Sequence, residues 1–178
     1  MNILKINNTL YCLVCPVRTG TRWINNMLQE ANIKEKAVLE HNEPEYREDL
    51  TYLMSVRNPF ERERSIWRWN RTINRDSVVP GFEEWLLSSN HPCYSEEYPN
   101  IFKKVSKFIH IEKFQEFMLD EFSIVTRDYN NVYHKPHDNL TDLEAYSNRD
   151  MILKVYEKYK PDYQYLDFIG MDKYVEQI

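Results

Sequence analysis

Residues Cys15-Pro16-Val17-Arg18-Thr19-Gly20-Thr21-Arg22-Trp23 set two arginines, two threonines and a glycine at the point where an apolar run gives way to a helical pattern. That combination suits the holding of an anion. The first helical turn offers unpaired N–H groups and the positive end of the helix dipole, and Arg18, Thr19, Thr21 and Arg22 add side-chain donors. Gly20 lets the backbone approach a ligand closely. It is one of only three glycines in the chain, which gives its position in this turn more weight. A second basic junction follows the apolar run Leu53-Met54-Ser55-Val56. There Arg57-Asn58-Pro59 opens a helix, and Ser65 follows eight residues after Arg57, a spacing that can grip one phosphate from two sides.

The elements that must position these residues follow from hydrophobic spacing. Leu10–Cys15 is uninterrupted and apolar, as a buried parallel strand is. Trp23, Ile24, Met27, Leu28 and Ala31 then mark an amphipathic helix from Thr21 to about Ala31. Ile3–Ile6 predicts a short strand, with Asn7-Asn8 as a tight turn. Ala37–Glu40, Leu50–Val56 and Lys107–Ile111 predict further strands. Helices are expected over Phe60–Ile73, over Gly81–Leu87, around Phe114, Phe117 and Met118, and over Ser147–Tyr159, where Pro161 ends the last one. Arg127–Asn139 lacks periodicity and reads as a loop. Alternating strands and helices predict one α/β domain spanning 1–178, three-layered around a mostly parallel sheet, with ligands at the carboxyl ends of its strands.

Composition narrows the partners. A formal charge of −5 argues against a dedicated nucleic-acid binder. Arg57, Arg62, Arg64, Arg68, Arg71 and Arg75 nevertheless crowd one segment, which reads either as a positive site in a negative body or as helix ion pairs with Glu61 and Glu63. Three cysteines give no disulfide framework and favour a reducing compartment. Cys12 and Cys15 have metal-like spacing, but on a strand they point to opposite faces and no second pair completes a zinc site, so they read as core. Met1–Leu10 is too polar for a secretory signal and no run approaches membrane-spanning length. The expectation is a soluble, cytoplasmic protein with no membrane partner and no metal.

Arg18-Thr19-Gly20-Thr21-Arg22-Trp23, together with Arg57-Asn58-Pro59 and Ser65, resembles the sulfotransferase family that uses 3′-phosphoadenosine 5′-phosphosulfate (PAPS) and releases 3′-phosphoadenosine 5′-phosphate (PAP). The resemblance is strongest from Leu10 to Trp69 and continues through Lys107–Phe117. It extends to Tyr156-Glu157-Lys158-Tyr159-Lys160-Pro161-Asp162-Tyr163, which is similar to the family's closing helix, commonly ended by Tyr-x-x-Asp and an aromatic. The resemblance implies a P-loop-like sulfotransferase fold and in-line transfer of a sulfuryl group to a hydroxyl or amine of a small-molecule or glycan acceptor. It implies that Arg18 stabilises the leaving phosphate and that Thr19, Gly20, Thr21 and Arg22 bind the 5′-phosphate. Trp23 would stack on adenine or serve as a core aromatic, and Arg57 with Ser65 would bind the 3′-phosphate. His41, in the setting Val38-Leu39-Glu40-His41-Asn42-Glu43-Pro44, matches the position of the family's catalytic base, with Glu43 and Glu45 as rivals.

One departure stands out. The family usually has Lys where this chain has Arg18, and a guanidinium is a poor proton donor, so electrostatic stabilisation survives while a general-acid role does not. Two alternatives stay open: a nucleotide or small-molecule kinase on the same ground plan, and an inactive PAP-binding module. The kinase would need a G-x-x-x-x-G-K-[ST] loop and magnesium ligands, neither of which is evident here. The Tyr133-His134-Lys135-Pro136-His137 loop reads as solvated, or as a cover for nucleotide or acceptor. His110 reads as structural.

Overall fold

The structure is a computed structural model that describes residues 2–33, 41–74, 78–126 and 140–176. The predicted strand at Ala37–Glu40 and the Arg127–Asn139 tract, with its Tyr133–His137 loop, lie outside the described residues, as does Arg75. The chain divides into two compact units, residues 1–56 with 95–132 and residues 57–94 with 133–178.

The first unit is α/β. Strand β1 (Asn2–Ile6) turns through Asn7 and Asn8 into β2 (Thr9–Val14). Ile6 pairs with Thr9, and both asparagines have positive φ, 48° and 63°, which is the signature of a type I′ hairpin. Asparagine tolerates that region better than other residues with a Cβ. The register pairs Asn2 with Leu13 antiparallel. After helix α1 (Thr21–Glu30), β3 (Thr51–Val56) pairs parallel with β2, bringing Val14 opposite Met54.

In chain order the helices α2 (Pro59–Ile73), α3 (Phe82–Ser88) and the single turn α4 (Tyr94–Glu97) come next. A 3-10 turn at Phe102–Lys104 then leads into β4 (Val105–His110), parallel to β3 with Val56 opposite His110. A second 3-10 turn (Ile111–Lys113) and α5 (Phe114–Phe122) follow. Among the described residues the sheet is thus four-stranded and mostly parallel, in the order β1-β2-β3-β4. Parallel neighbours need long crossovers, and the intervening helices supply them.

One face of this sheet carries the unit's core. Ile24, Met27 and Leu28 of α1 and Phe114, Phe117 and Met118 of α5 pack with Leu4, Ile6, Leu13, Cys15, Leu53 and Ile109. The spacing on each helix puts these residues on one stripe. Cys15 joins this cluster, whereas Cys12 is buried but lies outside it, as opposite faces require. Burial pushes the Cys12 thiol up to about 11, so it stays protonated and unreactive at neutral pH.

The second unit is helical: α2, α3, α6 (Arg149–Tyr159) and α7 (Asp172–Val175). Asn58 caps α2 by accepting from Phe60 N at 3.0 Å, and Pro59 occupies the first turn. Phe60 stacks on Tyr174, and Tyr146 meets both rings edge-on.

The arginine-rich stretch of α2 is built into this unit rather than gathered as a cationic site. Arg62 and Arg64 are fully buried. Arg62 donates to Pro92 O and to the Tyr159 hydroxyl, and Arg64 donates to the Thr141 and Leu140 carbonyls and pairs with Asp142. Arg68 also pairs with Asp142, and Arg71 lies over the Trp67 ring. Glu63, expected as a helix-surface partner of these arginines, instead takes Lys158 and Tyr159. Among the described residues no helix is long and apolar enough to cross a membrane.

Candidate functional site

Beyond β2 the chain is drawn inward at Cys15 and Pro16, both buried, before it reaches Arg18. Arg18 adopts φ 66° and Gly20 φ 78°. A Cβ on Gly20 would meet Ile111 at an ordinary 3.7 Å, so the backbone conformation rather than lack of space calls for glycine. Thr19, fully buried between these two residues, ties the turn down. Its N–H and hydroxyl both donate to Pro16 O, at 3.2 and 2.8 Å. With that proton committed, the 2.8 Å contact to Ser55 Oγ on β3 has Ser55 as donor. Thr19 therefore holds the loop to the sheet and turns its hydroxyl away from solvent.

Helix α1 begins without a conventional cap. Gly20 provides no side-chain hydrogen bond, and the first turn holds no acidic residue. Ile24 N closes on Gly20 O at 2.9 Å, which is the first N–H that the helix itself satisfies. Thr21 Oγ1 is buried and has no hydrogen-bond partner among the described residues. An orphaned buried hydroxyl costs about 1–3 kcal/mol, and an anion seated on the helix N-terminus would relieve it. Arg22 is exposed beside it. Trp23 is half-buried, packed against the core cluster with its ring 6.2 Å from Phe114, edge-on. Of the two roles expected of Trp23, this contact is the core one. Val17 N donates to Glu97 Oε1 at 3.4 Å, so a carboxylate already touches the loop's backbone.

His41 belongs to the same unit and is tied to the start of this loop. Its Nδ1 lies 3.0 Å from Cys15 O. A carbonyl oxygen only accepts, so Nδ1 carries the proton and Nε2 keeps its lone pair in the neutral ring. The backbone is held as well, because Tyr98 donates its hydroxyl to His41 O at 2.7 Å. The side chain is otherwise exposed. Glu43 is arranged differently. Its carboxylate accepts from Asn100 N, Ile101 N and Asn100 Nδ2 at 2.7, 2.8 and 2.7 Å, which makes it a cap for the turn before Phe102. Those three donors occupy both carboxylate oxygens that a base would use. Glu45 is exposed and offers its backbone carbonyl to Tyr52.

The Arg57 junction lies in the second unit. Arg57 precedes the α2 cap, and its Nε sits 3.4 Å from Glu61 Oε2. Glu61 is also held by Lys173 Nζ at 3.1 Å. Ser65 is buried one turn beyond Glu61. Glu61 and Ser65, four residues apart on α2, share one face of the helix, and Arg57, just outside its start, reaches back to Glu61. Tyr174, near Glu61, has its phenol pushed upward by burial first and by that carboxylate second.

Sequence reading missed Ser55, Tyr94 and Tyr98. Ser55 had a readable signal, being a hydroxyl inside an otherwise apolar strand. The two tyrosines had none, since their roles rest on contacts distant in sequence. Comparison with known protein families, with curated proteins and with solved structures finds no match to this chain.

Proposed function

We propose that this protein is a PAPS-dependent sulfotransferase with a P-loop-like, three-layer sulfotransferase fold. The observation that carries the reading is the start of α1: an uncapped helix with a buried, partnerless Thr21 hydroxyl behind a loop whose first carbonyl orients His41. An uncapped N-terminus and an orphan donor are the local chemistry a phosphosulfate would complete. In-line sulfuryl transfer, like phosphoryl transfer, relies on positioning and on neutralising the leaving phosphate. Thr21, Gly20 and Arg22 bind the 5′-phosphate, with Thr19 shaping the loop. Arg18 balances charge on the leaving oxygen, and Trp23 flanks the loop. Neutral His41 takes the acceptor proton at Nε2, while its Nδ1–H stays on Cys15 O. Arg57 and Ser65 hold the 3′-phosphate, which requires Glu61 to release Arg57.

Transfer of labelled sulfate from PAPS to a panel of hydroxyl and amine acceptors tests the reaction. The His41→Ala variant is expected to lose turnover by about 10²–10⁴-fold, the usual contribution of a general base, while PAP affinity stays nearly intact. Turnover retained in that variant excludes His41 as the base.

A further inference from the structure

Tyr159 and Asp162, the closing residues singled out in the sequence, have no task in the chemistry above, and both converge on Tyr94. The Tyr94 side chain is fully buried. Its hydroxyl sits between the two backbone groups of Arg57, accepting from Arg57 N at 2.9 Å and donating to Arg57 O at 3.0 Å. Arg57 stands between the end of β3 and the α2 cap, where neither a sheet ladder nor a helix supplies regular partners. One phenol therefore satisfies both of its backbone groups and fixes the point from which its guanidinium projects.

Tyr94 is in turn held from several sides. Its N–H donates to Asp162 Oδ2 at 2.9 Å. The Arg62 guanidinium lies 4.3 Å from its ring centroid, on the face where the ring quadrupole attracts a cation. Tyr159 meets the ring edge-on at 5.7 Å, and Phe168 stacks at 5.9 Å. Arg62 also donates to Tyr159 Oη at 2.9 Å, and that hydroxyl donates onward to Glu63 at 2.8 Å. Arg62, Glu63 and Asp162 are all fully buried. Apolar residues would pack these helices without burying charge; what the polar arrangement adds is directionality, aimed at Tyr94.

We infer that Tyr94 is the positioning residue of Arg57, and that the Arg62–Tyr159–Asp162 network holds Tyr94 for that task. The inference rests on the proposed 3′-phosphate role of Arg57. Its consequence is selectivity: with the Arg57 backbone fixed before binding, only the side chain has to turn from Glu61 to the ligand, which favours nucleotides that carry a 3′-phosphate over those that lack it.

The test is calorimetric titration with PAP and with adenosine 5′-monophosphate (AMP), which differ by that phosphate. Tyr94→Phe is expected to weaken PAP about tenfold, the scale of one hydrogen bond, and to leave AMP unchanged. Tyr146→Phe removes another buried hydroxyl, one that donates to Phe60 O at 2.7 Å, and is expected to keep the wild-type PAP-to-AMP ratio. In an Arg57→Ala background, Tyr94→Phe should cause no further loss. A wild-type ratio in Tyr94→Phe overturns the inference while leaving the functional reading intact. No preference for PAP over AMP in the wild type overturns the 3′-phosphate assignment, and the inference with it. Should Tyr94→Phe fail to fold, hydrogen exchange on the wild type decides: a slow Arg57 amide without nucleotide supports positioning, and one protected only after PAP is added contradicts it.

Discussion

Thr19 and Thr21 stand two residues apart in one loop, and their hydroxyls face opposite circumstances. Thr19 Oγ1 is bonded to Pro16 O and Ser55 Oγ, while Thr21 Oγ1 is buried with no partner among the described residues. The same Thr→Val substitution should therefore read differently at the two sites. Thr19→Val strands the buried Ser55 hydroxyl and leaves Pro16 O with only the Thr19 N–H, and is expected to cost about 1–3 kcal/mol of stability. Thr21→Val removes an orphan, so stability should hold or rise, while PAP affinity falls about tenfold. Thermal denaturation with parallel PAP titration separates the two; equal stability loss at both positions would contradict the assignment of Thr21 as a ligand-facing group. Sequence named both threonines as donors because types and spacing were all it could weigh. The division of labour depends on Ser55, which arrives from a strand whose pairing the local sequence does not encode.

At the scale of elements, the β2–α1 and β3–α2 junctions share a plan of apolar strand, basic turn and helix, but their helices start differently. Helix α1 opens on glycine without a side-chain cap, whereas α2 opens on Asn58-Pro59 with a conventional one. The second junction therefore depends on side chains more than on free N–H groups, and its electrostatics rest with Glu61, which holds both Arg57 and Lys173. Glu61→Gln removes a carboxylate that competes with phosphate for these cations, so PAP affinity is expected to rise several-fold and its salt dependence to steepen. A weaker PAP titration in Glu61→Gln would show that Glu61 positions Arg57 rather than competing for it. Boundaries here were legible in the sequence for physical reasons: Asn58-Pro59 sets a helix start, and Asn7-Asn8 supplies the two positive φ values a tight hairpin needs. The fate of Arg62 and Arg64 was not legible. Their helix-local glutamates looked like adequate partners, and only the chain around Pro92, Leu140 and Tyr159 shows that both are buried.

Across the molecule, a formal charge of −5 means that the proposed polyanionic nucleotide would be drawn by local fields against an unfavourable average. The alternation of strands and helices was enough to predict an α/β protein with a mostly parallel sheet. The residues proposed to bind the nucleotide are divided between two compact units, Arg18–Trp23 and His41 in one and Arg57 with Ser65 in the other. In the sequence no linker or change of composition marks the boundary at Val56 and Arg57. The central claim is the proposed recognition of a nucleotide that carries both a 5′- and a 3′-phosphate. Calorimetric titration with PAP, set against ATP with Mg²⁺, tests it most directly. The account predicts saturable PAP binding that is much tighter than ATP–Mg²⁺ binding and that weakens in Arg57→Ala; a preference for ATP–Mg²⁺, or PAP binding indifferent to Arg57, would contradict it.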